Sequence, residues 1–272
     1  MSLKRPSRRE FLTLGATGVA GFALGLSAED SREMSIERVD IRLSRWTAGR
    51  TKIGLIADLH VNRPLERDRA IRAIELLITE KPDVIVIPGD FTNRTDEGTL
   101  NLLAESLDAL GAAKCPVFAT LGNHDYGTNA PEQIARKVID SPARLLVNTT
   151  ARVGDVTIWG IDDGIYDADR HDLFQGVRAP SNLVTLFHEP DFVSRIDERS
   201  DLMLAGHSHG GQICLPGGFP LYVPYGSRRY FTGYYDRARV PLYVTNGIGT
   251  NLNSTTRIFC PPQVSVLEID RA

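Results

Sequence analysis

The sequence predicts an α/β fold, a layered αββα sandwich of two mixed β-sheets flanked by helices, with a metal site at the carboxyl ends of its strands. Three features carry this expectation. Short aliphatic runs alternate with stretches of helical periodicity, and later strand-like segments follow one another without helices between them. Residues able to bind metal also recur directly after the aliphatic runs.

Five runs come first. They are Lys52–Ala57 before Asp58-Leu-His60, Val84–Pro88 before Gly89-Asp90, and Pro116–Leu121 before Gly122-Asn123-His124-Asp125. Leu183–Phe187 precedes His188, and Asp201–Ala205 precedes Gly206-His207-Ser208-His209-Gly210. Continuous apolar runs of this length read as buried strands. Between them, Arg67–Thr79 places Ala70, Ile71, Ile74, Leu77 and Ile78 on one helix face. Leu100–Leu110 repeats the pattern with Asp96 or Thr99 as N-cap, and Pro131 opens a third helix to Asp140. Val156–Ile161, Arg239–Thr245 and Gln263–Ile269 are strand-like without helices, and a second sheet packed on the first accounts for them. In open α/β sheets, ligands bind outside the carboxyl ends of the strands, where all five polar clusters fall.

The chain has 272 residues, 42% hydrophobic and 24% charged, an ordinary globular balance with room for one well-filled domain. A net charge of -3 gives no basic surplus, so no nucleic-acid-binding module is expected. Cys115, Cys214 and Cys260 are widely spaced and read as buried thiols, with a Cys214–Cys260 bridge as an open alternative.

Five of the six histidines (His60, His124, His188, His207 and His209) lie in the strand-end clusters, and only His171 falls outside them. Taken singly, each cluster is explained as a strand end turning to solvent. Five at equivalent places are not. Two aspartates, an asparagine and four histidines without a thiolate suit divalent Mn, Fe or Zn. Asp58, His60, Asp90, Asn123, His188, His207 and His209 exceed what one ion needs, whereas two ions sharing a carboxylate use them all. Such a pair can hold a hydroxide and clamp both oxygens of a phosphoryl displacement.

In order and type, these motifs resemble those of the calcineurin-like metallophosphoesterase superfamily, over roughly residues 52–210. The resemblance implies Asp58, His60 and His209 on one metal, Asn123, His188 and His207 on the other, and Asp90 bridging. It implies His124 as the general acid. Many members carry an aspartate three residues after the bridging one, paired with the catalytic histidine, then an arginine near the phosphate. Here Arg94 matches but Asn93 replaces the carboxylate, so Asn93 is expected to orient His124 and Asp125 to supply the missing charge. The implied activity is hydrolysis of a small-molecule or envelope phosphoester, either a mono- or a diester. Two alternatives stand: a pyrophosphatase for a nucleotide-activated lipid precursor such as UDP-diacylglucosamine, and a non-catalytic metal-binding envelope protein. Residues 214–235 hold seven aromatics with Arg228 and Arg229, and read either as a substrate or lipid rim or as a hairpin covering the sandwich. The Asn246-Gly247-Ile248-Gly249 turn and Cys260-Pro-Pro read as structural.

At the N-terminus, Lys4, Arg5, Arg8 and Arg9 precede an uncharged run from Phe11 to Ala28. That is the layout of a secretory leader, with an uncleaved membrane tether as the alternative. Ser7-Arg8-Arg9-Glu10-Phe11-Leu12 resembles a twin-arginine signal, which implies a translocase that exports folded proteins. Residues 1–28 are therefore read as an export signal and 29–272 as the catalytic domain, destined for the periplasm or cell envelope, with membrane or cell-wall association there. Gly210-Gly211-Gln212-Ile213 after the last motif, together with this export signal, resembles the exported, phosphodiesterase-like bacterial branch of the superfamily. Changing Arg8→Lys together with Arg9→Lys keeps the charge and is expected to block export. Fractionation that finds the double variant outside the cytoplasm at the normal level would leave an ordinary leader or anchor.

Overall fold

The computed structural model describes residues 33–166, 180–250 and 256–272. The predicted leader and His171 lie outside the described residues. Among those residues no helix is long and apolar enough to cross a membrane.

Two six-stranded sheets stack face to face. The first contains β1 (Ser35–Leu43), β2 (Thr51–Leu55), β3 (Val84–Pro88), β4 (Val117–Thr120) and the short β5 (Arg144–Leu145). The second contains β6 (Thr149–Val153), β7 (Val156–Gly160), β8 (Leu183–Leu186) and β9 (Leu202–Ala205). A small hairpin, β10 (Cys214–Leu215) and β11 (Phe219–Pro220), follows, and β12 (Gly233–Tyr235) and β13 (Leu242–Val244) complete the second sheet. The last strand, β14 (Gln263–Arg271), returns to the first sheet between β1 and β2. Strands β2 to β5 run parallel, as do β7, β8, β9 and β13, while β14 against β2, β6 against β7 and β12 against β13 are antiparallel. Both sheets are therefore mixed.

Burial explains the layering. β3, β4, β7, β8 and β9 are buried along their whole length, which matches their unbroken aliphatic runs. Ile53, Leu55, Val84 and Val86 of the first sheet meet Ile158, Val184, Leu186 and Leu204 of the second in one core. On the outer face of the first sheet lie α1 (Pro64–Thr79), α2 (Glu97–Asp108), α3 (Asn123–Gly127) and α4 (Pro131–Ile139). Ala70, Ile74 and Leu77 of α1 pack there with Leu103, Leu107, Ile134 and Val138. Asp96 caps α2, its carboxylate accepting from the Thr99 N–H at 3.1 Å. The second sheet is covered by Phe187, Phe192 and Val193 around a 3-10 turn, Pro190–Arg195.

The expected strands and helices recur with ends shifted by a few residues. β14 departs from expectation, joining the first sheet and not the second, because it pairs with β1 and β2; β1, β5 and β6 lie outside the expected runs. The parallel strands β2, β3, β4, β8 and β9 all deliver their chains to one edge of the sandwich, where the polar clusters begin.

Candidate metal centre

The loop after β2 carries Asp58 and His60, the loop after β3 Asp90, and the first turn of α3 Asn123. The loops after β8 and β9 carry His188, His207 and His209. Asp58, His60, Asp90, His188, His207 and His209 are all at most 3% exposed. Their donor atoms fall into two overlapping sets that share Asp90. Asp58, His60, Asp90 and His209 form one and Asp90, His188 and His207 the other, each within 4.8 Å.

Hydrogen bonds fix which ring nitrogen faces inward. His188 Nδ1 donates to the Pro88 carbonyl at 2.6 Å and leaves Nε2 free. His207 Nε2 donates to the Tyr225 carbonyl at 2.8 Å and leaves Nδ1 free. His60 Nδ1 donates to Asn93 Oδ1 at 2.6 Å, and its Nε2 lies 3.1 Å from Nε2 of His209. His60 and His207 thus turn lone pairs, not protons, to the centre.

Buried polar atoms without a hydrogen-bond partner mark the same spot. Asp90 Oδ2, Asn123 Oδ1, His188 Nε2 and His207 Nδ1 are all in this state. Such atoms are rare in folded proteins because each forfeits its hydration. Three of the four, on Asp90, His188 and His207, belong to the donor sets and fit bound cations.

Electrostatics point the same way. Burial, then repulsion from Asp90, pushes Asp58 up to about 7. Burial would depress His188, but the Asp90 and Asp58 carboxylates outweigh it and raise it well above the ordinary imidazole range. Its Nε2 lies 3.1 Å from Asp90 Oδ2 without hydrogen-bond alignment. Burial lowers His60 to about 4 and His207 to about 3, so both rings are neutral ligands at physiological pH. A buried site with two carboxylates and neutral imidazoles wants positive charge, which divalent ions supply.

The backbone is bent to make this arrangement. Asp58, His60, Asp90, His207 and His209 all have positive φ, between 45° and 70°. Left-handed residues outside glycine are uncommon and gather at functional sites. Asp58 is held by the His207 N–H, 2.9 Å from Oδ1. Gly122 is needed for close approach, because a Cβ there would stand 2.4 Å from Asp90 Oδ1. At Gly247, with φ of 64°, a Cβ would meet Asp58 Oδ2 at 2.4 Å, so this turn shapes the site as well as the fold.

Two expectations need correction. Asn93 orients His60, not His124. Asp125 does not reach the His124 ring, because its buried carboxylate accepts from four backbone N–H groups, those of Asp90, Phe91, Thr92 and Gly122. Arg94 stands outside the donor sets, exposed and paired with Asp96 at 2.9 Å. His124 lies half-buried at the mouth, its ring edge-on to His60 with centroids 4.9 Å apart. Its backbone N–H donates to Asp90 Oδ1 at 2.9 Å. All three cysteines are free thiols, with Cys214 and Cys260 buried.

Sequence reasoning missed Arg257. It is fully buried and donates to the carbonyls of Gly249, Asn246 and His209, at 2.6, 2.8 and 3.2 Å. A lone arginine far along the chain from every motif carried no signal of this role.

A two-sheet α/β sandwich with two donor sets sharing one carboxylate defines a metal-dependent hydrolase of phosphoesters. Residues 51–218 match the model of the calcineurin-like phosphoesterase family, and the chain belongs to that family. It is 31% identical to phosphodiesterase YaeI of Escherichia coli (strain K12), over 97% of this chain and 99% of that protein. It is 28% identical to the uncharacterized metallophosphoesterase Cj0846 of Campylobacter jejuni, over 80% of this chain but only 59% of that protein. UDP-2,3-diacylglucosamine pyrophosphatase LpxG of Chlamydia muridarum is 25% identical, over 86% of this chain and 88% of that protein.

The Asn93–His60 bond yields a test. Asn93→Ala frees the His60 ring and is expected to weaken metal binding about 10- to 100-fold, the usual cost of losing such an orienting partner. Competition against a chelator measures it. An unchanged affinity would mean that packing alone sets the ring.

Proposed function

We propose that the chain is an exported phosphodiesterase that works with two divalent ions and uses His124 as its general acid. The observation that carries the reading is two donor sets joined by Asp90, in which Asp90, His188 and His207 each hold a buried atom without a partner. Two ions, when bound, would supply Lewis acidity at the phosphoryl group and a lowered pKa for water. Mn, Fe and Zn all suit the donors.

The chain's own residues do the rest. Asp58, His60 and His209 would hold one ion, Asn123, His188 and His207 the other, and Asp90 both. His124 sits at the mouth with its ring free of hydrogen bonds, as a proton donor to a leaving oxygen requires. Arg94, exposed and paired with Asp96, would turn from it to a substrate phosphate. The diester preference follows the full-length likeness to YaeI. The twin-arginine pair supports export, and the periplasm or envelope follows from it.

Leaving-group dependence tests the acid. His124→Asn is expected to keep its metals and most activity on p-nitrophenyl diesters, because p-nitrophenolate leaves almost unaided. On alkyl diesters it should lose about 10²–10⁴-fold, the worth of general acid catalysis. A uniform loss over both leaving groups, with both metals present, would remove His124 from the proton transfer.

A further inference from the structure

An apolar cavity of about 230 Å³ opens beside the donor cluster, its wall including Ser208, His209, Gln212, Ile213, Leu221 and Tyr222. One lining residue, His209, belongs to the donor sets. Two others, Leu221 and Tyr222, are exposed, as are Leu215, Phe219 and Tyr225 of the same segment, all between 49% and 70%. Leu215 and Phe219 face each other across the β10–β11 hairpin. Single exposed apolar side chains are ordinary, but five within eleven residues concentrate apolar surface in one segment, as binding surfaces do.

Charge identifies the occupant. Arg228 and Arg229 follow the patch and are exposed. The Arg228 guanidinium lies 6.0 Å from the Tyr225 ring and that of Arg229 lies 5.3 Å from the Tyr230 ring. Among the described residues neither guanidinium pairs with a carboxylate. The nearby Asp191 is engaged instead by the backbone N–H groups of Arg228, Arg229 and Tyr230. An apolar, tyrosine-bearing segment flanked by two free cations, on a chain whose net charge is -3, complements an anionic bilayer. Tyrosines sit well at the headgroup level, where one end of the ring is apolar and the other wet.

We propose that residues 214–229 dock on an anionic phospholipid bilayer and that the cavity beside His209 takes an alkyl chain of the substrate. The phosphoester hydrolysed is then lipid-linked. This second half rests on the hydrolase reading above, whereas the docking half does not.

A site-specific reporter tests the docking. Trp46 and Trp159 are fully buried and shielded from vesicles and quenchers, so a vesicle-dependent change in the emission of a Phe219→Trp variant of the full chain reports on the hairpin. With vesicles of phosphatidylcholine and phosphatidylglycerol its emission is expected to shift to the blue and to be quenched by brominated acyl chains. Phosphatidylcholine alone should do neither. Adding Arg228→Ser and Arg229→Ser should weaken the response about 10- to 30-fold, as for two basic residues at such a surface. An indole that stays as open to an aqueous quencher with anionic vesicles as without overturns the proposal. So does a shift that depends only on protein concentration, which would make a second copy the occupant.

Kinetics test the substrate half. Leu215→Ser with Phe219→Ser should leave hydrolysis of bis(p-nitrophenyl) phosphate unchanged. Hydrolysis of a phosphodiester carrying a dialkylglycerol, presented in the same vesicles, should fall by at least about 10-fold, in step with lost partitioning. Equal rates for variant and wild type on the vesicle substrate overturn the lipid-linked assignment. Loss of activity on every phosphoester with metals bound sinks the hydrolase reading instead, while the fluorescence still decides docking.

Discussion

The carboxylate of Asp125 ties the scaffold to its chemistry. Fully buried below the donor cluster, it accepts N–H groups from the loop after β3 and from the turn that opens α3. Those two segments carry Asp90, Asn93, Asn123 and His124. Four N–H groups converging on this one side chain tie the two loops together. The arrangement is costly in isolation. Burial, and then the charge of Asp90, pushes Asp125 up to about 8, against the pull of the N–H groups. Cations at Asp90 would relieve that repulsion, which couples the scaffold's strongest clamp to the filling of the site.

The same loops hold strain. Five donor residues sit in the left-handed region, at of order 1–3 kcal/mol apiece. The loops are nonetheless closed by backbone bonds, from the Asp58 N–H to Gly89 O and from His60 N–H to Asp90 O, both 3.1 Å. Aspartate and histidine tolerate positive φ better than branched residues. Donor type and backbone shape therefore agree, and substituting a branched residue would lose both at once. From the other side, Arg257 braces the loop after β9 through its carbonyls, a bond that needs no particular side chain there.

What the sequence makes legible follows from how local each signal is. Strands β3, β4, β8 and β9 are buried on both faces and read as unbroken aliphatic runs, each followed by its donors, so the fold and the donor set could be read together. β1 alternates Val39, Ile41 and Leu43 with charged neighbours, because it lies at the edge of its sheet, and its period of two is easily taken for a surface loop. Partners are harder still. The preference of Asn93 for His60, 33 residues away, is set by the relative height of two parallel strand ends. The carbonyl that orients His207 belongs to Tyr225, and every residue has a carbonyl. A pattern of side chains cannot carry that information.

Each donor set draws on both sheets. Asp58, His60 and Asp90 come from the first sheet and meet His209 from the second. Asp90 comes from the first and meets His188 and His207 from the second. Asp58 and His207 are 149 residues apart in the chain. No such site exists in the unfolded chain, so binding free energy at the centre is folding free energy, and ions would hold the sandwich closed across its open edge. The proposed leader then has a physical reason. A centre assembled from two sheets is best built and filled before the chain crosses a membrane, because outside the cytoplasm the choice of metal passes to whatever ions abound there. A pathway that carries folded proteins preserves the choice already made.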